Sequence, residues 1–242
     1  MKKIILIIGI AILSIFIISC KKESSDVSKV TYYPDFVFNG ADLVFIKLDS
    51  SYTEPGVTAS ANGQPLAIET LVTGRHTGYS GSIVDTHTPD EYLITYRAKN
   101  ADGFYGTLTR TVFVTNTGNL INSIEGLYNC TVARVSPAGS YSGIYIMIWK
   151  TGVNTYEISD ALGGFYADGR SYGDNYKAGG CIITATDIPA NTFTFSSAFV
   201  PAWGDDAQMT LMNVAPGTNT ITATTEYAGY TFNLTLSQLS TL

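Results

Sequence analysis

Along most of the chain, apolar and polar residues alternate with a period of two, in short segments closed by Gly, Asn, Asp or Pro, while helical spacing is almost absent. The pattern predicts strands at 31–37, 43–48, 57–61, 69–73, 81–84, 91–99 and 106–114, then at 126–135, 144–149, 155–159, 181–186, 192–196, 208–213, 218–227 and 230–238. The clearest hairpin joins 91–99 to 106–114. Tyr92, Ile94, Tyr96 and Ala98 share one face, and Asn100, Ala101, Asp102 and Gly103 supply the turn. Between the two sets of strands, 115–124 opens polar and turn-rich, which places a domain division there. The fold class is therefore all-β: a β-sandwich over 30–117, a linker at 118–124, and a small antiparallel β-barrel or sandwich over 125–242.

One strand breaks the alternation. Residues 144–149 (Ile-Tyr-Ile-Met-Ile-Trp) are apolar on both faces. One face fills the core, and the other must be covered by a loop, the first domain or a partner.

Composition changes the picture at the N-terminus. The 242-residue chain has a positive mean hydropathy, but the excess sits in residues 1–19, where 14 are apolar and only Lys2 and Lys3 are charged. Two lysines before an uncharged run from Ile4 to Ile18 read as a secretory signal, because 15 residues are too few to span the bilayer as a helix. The run ends Ile17, Ile18, Ser19, Cys20 and resembles the bacterial lipobox. That resemblance implies a thioether-linked diacylglycerol on Cys20, an acylated mature N-terminus and permanent membrane attachment. Residues 20–29 then form a polar tether, and the expected location is the outer membrane, facing the cell surface or the periplasm.

Cys130 and Cys181 follow. Export makes a disulfide between them available, and two buried thiols are the competing reading, since both lie in apolar strands. No CxxC occurs and there are only two histidines, so neither metal nor cofactor is expected. Nucleic acid is disfavoured as well: 30–117 carry five basic and nine acidic residues and 125–242 carry four and nine, with no basic stripe.

Family resemblance refines the domains. Tyr52-Thr53-Glu54-Pro55-Gly56-Val57, Val84-Asp85-Thr86 and the Tyr92 to Gly103 hairpin resemble the bacterial immunoglobulin-like surface domain, which implies a spacer or adhesive module. Gly126-Leu127-Tyr128 and the closing strand 230–236 resemble lipocalin-like bacterial lipoprotein domains. In that order, the two resemble a Bacteroidetes lipoprotein family with an N-terminal immunoglobulin-like domain and a C-terminal barrel; the resemblance brings no catalytic or binding residues with it.

Candidate chemistry is sparse. His76 and His87 both fall in turns of the first domain, where solvated side chains are expected. A Ser/His/Asp or Cys/His site in the second domain would need a histidine reaching across. Asp160, Asp168, Asp174, Asp205 and Asp206 sit in second-domain loops, but no spacing pairs them as a glycosidase requires. The aromatic loops carry more. Trp203 lies between small residues and the carboxylates of Asp205 and Asp206, and Tyr166 and Tyr172 sit in glycine-rich stretches. Flat rings stack on the C–H faces of sugars while carboxylates take their hydroxyls. The competing reading is that Trp203 plugs the barrel end and the tyrosines cap its rim. The expected function is a non-catalytic, lipid-anchored envelope protein that captures carbohydrate. The alternative is a structural or assembly lipoprotein contacting another envelope protein through 144–149.

Overall fold

The structure is a computed structural model describing residues Val30–Leu239. The signal segment, Cys20 and the tether lie outside the described residues. No helix among the described residues is long and apolar enough to cross a membrane.

The first domain is a sandwich of eight strands: β1 (Asp35–Phe38), β2 (Leu43–Lys47), β3 (Val57–Ala61), β4 (Gln64–Pro65), β5 (Ile68–Gly74), β6 (Ser80–Gly81), β7 (Asp90–Lys99) and β8 (Tyr105–Thr115). Sheet β1-β3-β4 faces sheet β2-β8-β7-β5-β6, in which β2 runs parallel to β8. The predicted face of β7 is the core: Tyr92, Ile94, Tyr96 and Ala98 are all buried. The expected strand at 81–84 shrinks to β6, because the chain bends after Gly81 and the Tyr79 hydroxyl donates to the Ile83 carbonyl at 2.9 Å. Arg110 is fully buried between the sheets. It is satisfied by an ion pair with Glu54 and by the carbonyls of Ala41 (2.8 Å), Asn39 (3.0 Å) and Gly56 (3.3 Å), which offset the desolvation of its charge.

The second domain is a nine-stranded antiparallel sheet built from β9 (Gly126–Arg134), β10 (Gly139–Gly152), β11 (Thr155–Ile158), β12 (Cys181–Asp187), β13 (Thr192–Phe195), β14 (Ser197–Val200), β15 (Asp205–Ala215), β16 (Thr220–Tyr227) and β17 (Tyr230–Gln238). The order is β13-β12-β11-β10-β9-β17-β16-β15-β14. It is one strand more than the pattern predicts, since β14 follows β13 after a single residue. The sheet curls until Gly179, just ahead of β12, exchanges backbone bonds of 3.0 and 2.9 Å with Phe199 of β14. Inward residues of every strand fill the barrel, among them Tyr128, Val132, Ile146, Ile183, Met209 and Leu234.

The segment expected as a linker is docked rather than loose. Leu120 and Ile124 are fully buried in the barrel core, and the Ile124 carbonyl accepts from the Tyr128 hydroxyl at 2.6 Å. Strand β10 shows which covering its second face receives. Ile144, Ile146 and Ile148 point into the barrel, while Tyr145, Met147 and Trp149 pack on Leu43, Phe45 and Phe113 of the first domain. The rings of Phe113 and Tyr145 lie 5.4 Å apart. The first domain is the cover.

Candidate functional site

The mouth of the barrel is closed by the chain between β11 and β12. Asp160 starts this plug. It is fully buried, and its carboxylate accepts from the backbone N–H groups of Leu162 (2.8 Å), Gly164 (3.2 Å) and Ala178 (3.1 Å). Burial dominates its titration, raising the pKa to about 6 against the opposing pull of those donors. Gly163 and Gly164 then take left-handed φ values of 61° and 74°, which turn the chain into one π-helical turn, Phe165–Gly169. The turn drops Phe165 and Tyr166 onto Phe232, at 5.1 and 5.8 Å between ring centroids. Its aromatic side chains sit in the barrel core.

Above the plug lies an aromatic cap. Trp203, in the turn joining β14 to β15, meets Tyr166 and Tyr176 edge to face at 4.8 Å and 81° each, with Tyr227 tilted across it at 5.7 Å. The backbone N–H of Ala202 donates to the Asn175 carbonyl at 2.8 Å, locking this turn to the 3₁₀ turn Asp174–Tyr176. Trp203 stays 41% exposed and Tyr172 48%, with the two rings brought together through Tyr166 and Tyr176. Tyr166 itself is buried beneath them. Asp205 and Asp206 open β15 opposite Val200 and Phe199; both are exposed, and neither carboxylate has a partner among the described residues. Plugging and exposure therefore coexist: Tyr166 plugs, and Trp203 and Tyr172 form the surface.

Neither cysteine is bonded. Cys130 lies in β9 and Cys181 in β12, three strand spacings or roughly 14 Å apart along the wall, well beyond disulfide reach. Burial pushes their thiols up to about 12 and about 11 respectively.

A second cluster, which the residue pattern does not point to, lies where the domains meet. Asp90 accepts from the backbone N–H groups of His76 (2.9 Å) and Thr77 (3.1 Å), fixing the turn after β5. From that turn Arg75 donates to Glu91 at 2.5 Å and grips both carboxylate oxygens of Asp174, with Asp168 3.6 Å away. Lys177 completes the network, 3.4 Å from Asp174 and 4.0 Å from Glu91. Burial is the largest influence on Arg75 and disfavours its cation, but the bonds to Asp174 and Glu91 outweigh it and hold its pKa above the usual range. Burial raises Glu91 despite Arg75 and Lys177.

His76 corrects an expectation. It is not solvated: its side chain is 9% exposed, its ring lies 5.4 Å from that of Trp149, and its buried Nε2 has no hydrogen-bond partner. Burial, then the nearby Lys177 cation, lowers its pKa to about 4, so the ring is neutral at physiological pH. A first-domain histidine thus does reach the second domain. His87 remains exposed beside Asp49.

Comparison with known proteins agrees with this architecture. The model of the bacterial surface protein Ig-like domain matches residues 36–114, and a C-terminal-domain model matches residues 117–238. No curated protein matches the chain. The crystal structure of the lipoprotein BT2262 from Bacteroides thetaiotaomicron is similar, with a TM-score of 0.66 and 30% identity over 85% of this chain and 100% of that one. A likeness at that identity over the whole of that relative defines the family: this chain, an immunoglobulin-like domain followed by a C-terminal β-barrel domain, belongs to the family of the Bacteroides lipoprotein BT2262.

Proposed function

We propose that this protein is a lipid-anchored component of the outer membrane that captures carbohydrate without catalysis, with the first domain as spacer and the barrel as recognition module. The lipobox ending at Cys20 and membership of a lipoprotein family support the anchor and an envelope location. The observation that carries the ligand class is the cap: an exposed Trp203 and Tyr172 over a rigid plug, next to the unpaired carboxylates of Asp205 and Asp206. Stacking on a preformed ring, with acceptors beside it, is how a rigid surface holds a sugar at low entropic cost.

Of the loop carboxylates, Asp160 is engaged by backbone donors and Asp168 and Asp174 by Arg75, which favours binding over hydrolysis. An assembly role through the outward face of 144–149 is disfavoured because Phe45 and Phe113 occupy that face. The test is a fluorescence titration of the mature chain, with Cys20 replaced by Ser, against a glycan panel. A Trp203-dependent response that Trp203→Ala removes is expected; no response to any glycan overturns the reading.

A further inference from the structure

Between the network of Arg75 and the turn carrying Trp203 lies a cleft of about 260 Å³, walled by Arg75, His76, Trp149, Glu157, Phe199 and Pro201. It shares two chain segments with the cap. Pro201 lines the cleft two residues before Trp203, and the Asp174–Tyr176 turn gives Asp174 to the cleft and Tyr176 to the Trp203 ring. Two polar groups in it make no hydrogen bond. Glu157 stands directly across from Trp149 in the β10–β11 pair, and its half-buried carboxylate has no hydrogen bond or ion pair among the described residues. The Nε2 of His76, whose ring lies 5.4 Å from that of Trp149, stands 3.8 Å from a Glu91 carboxylate oxygen and is the one buried side-chain polar atom without a hydrogen bond among the described residues. Such groups carry a desolvation cost that a ligand's hydroxyls relieve.

We infer that this cleft is an inner subsite that takes one neutral sugar residue of a chain whose next residue lies on Trp203. Glu157 accepts two neighbouring hydroxyls of that residue, and Trp149, Phe199 and Pro201 meet its C–H surface. The inference rests on the carbohydrate reading above and adds where the chain ends and which sugars it excludes. The volume is below the roughly 300 Å³ at which clefts take drug-sized ligands, and suits a single ring. Charge sets the second half. Around the cleft, Arg75 and Lys177 face the four carboxylates of Glu91, Asp168, Asp174 and Glu157; both cations are held by Asp174 and Glu91, and the charges of Asp168 and Glu157 are left over. A uronate entering here meets that surplus with no free cation to pair with.

The experiment is calorimetric titration of the mature chain with neutral hexose oligosaccharides of two to six residues and with oligogalacturonates of the same lengths. The wild type, Glu157→Gln, Phe199→Ala and Trp203→Ala are compared. Expected are binding of a neutral oligosaccharide but not of the uronates, a loss of about tenfold or more in Glu157→Gln, and a smaller loss in Phe199→Ala. Glu157→Gln keeps shape and fold, and Phe199 is half exposed, so one folded variant reads the subsite even if the other is compromised. Affinity lost in Trp203→Ala but unchanged in both cleft variants, or uronates bound as tightly as neutral chains, overturns the subsite and leaves the surface reading standing. No binding of any glycan by the wild type overturns both.

Discussion

Arg75 and Asp174, 99 residues apart and in different domains, form a two-point clamp: Nε and Nη2 of the guanidinium each meet one carboxylate oxygen, and Nη1 holds Glu91 behind them. The clamp couples the turn after β5 to the segment that plugs the barrel. Orientation of the sandwich and closure of the barrel mouth are thus one structural problem.

Arg75→Met is therefore expected to loosen both at once. Glu91 loses its closest cation while remaining buried, and a cost of about 2 kcal/mol follows, less than for a fully buried pair because Asp174 is half exposed. Urea unfolding followed by tryptophan fluorescence measures it. Asp49→Asn, which removes the charge facing the exposed His87 and keeps a residue suited to the left-handed φ of 65° there, leaves the midpoint unchanged.

Asp160 and His76 titrate in opposite senses over one pH window. The Asp160 pKa is raised by burial to about 6, from 3.8, so its contribution to stability is complete below pH 3.8 and is lost as pH rises through about 6. The His76 pKa is lowered to about 4, from 6.5, so its contribution is complete above pH 6.5 and is lost as pH falls through about 4. At about 1.4 kcal/mol per pKa unit each amounts to roughly 3 kcal/mol, and in the wild type they offset. Replacing one unmasks the other. Between pH 4 and 6.5, Asp160→Asn is expected to gain stability relative to wild type as pH rises, and His76→Phe to lose it. Parallel curves for the three proteins by denaturant titration would contradict both assignments.

Gly164→Ala should unseat the plug. An added Cβ would lie 2.5 Å from Cγ2 of Ile144, and φ at that position is 74°. Strain and overpacking together cost about 2–4 kcal/mol. As Tyr166 withdraws from beneath Trp203, tryptophan emission is expected to shift to the red under conditions where the protein is still folded. An unshifted spectrum would mean that the cap does not depend on the plug.

The thiols of Cys130 and Cys181 are both buried and both raised by burial, so neither forms a thiolate at neutral pH. A thiol reagent such as Ellman's is expected to leave them untouched in the native protein and to modify both after unfolding in urea. Oxidation of the native chain is expected to produce no internal disulfide, checked by mass spectrometry of the alkylated protein.

What could be read from the residues alone is what neighbouring residues decide. Alternation along β7 predicts the buried row Tyr92, Ile94, Tyr96 and Ala98, because side chains on a strand point to opposite faces whatever the strand pairs with. The Trp203 turn is legible for the same reason: small residues and paired carboxylates around a tryptophan are a local signal. The two apolar faces of 144–149 announce that a cover exists without saying which, and only the packing of Phe113 on Tyr145 answers that.

The cleft at the domain seam belongs wholly to the tertiary structure. His76 occupies a turn that by sequence alone belongs in solvent, and it is buried because Asp90 fixes that turn and β10 brings Trp149 beneath it. Asp168 and Asp174 read as ordinary acidic loop residues until Arg75 arrives from the other domain. The sequence by itself determined the strands, the turns and the aromatic surface, all consequences of bonds and periodicities a few residues long. Only the tertiary structure decided which charges are paired, which nitrogen is left unsatisfied and where a cleft opens. Those depend on distances between segments up to 99 residues apart, and no local pattern encodes them.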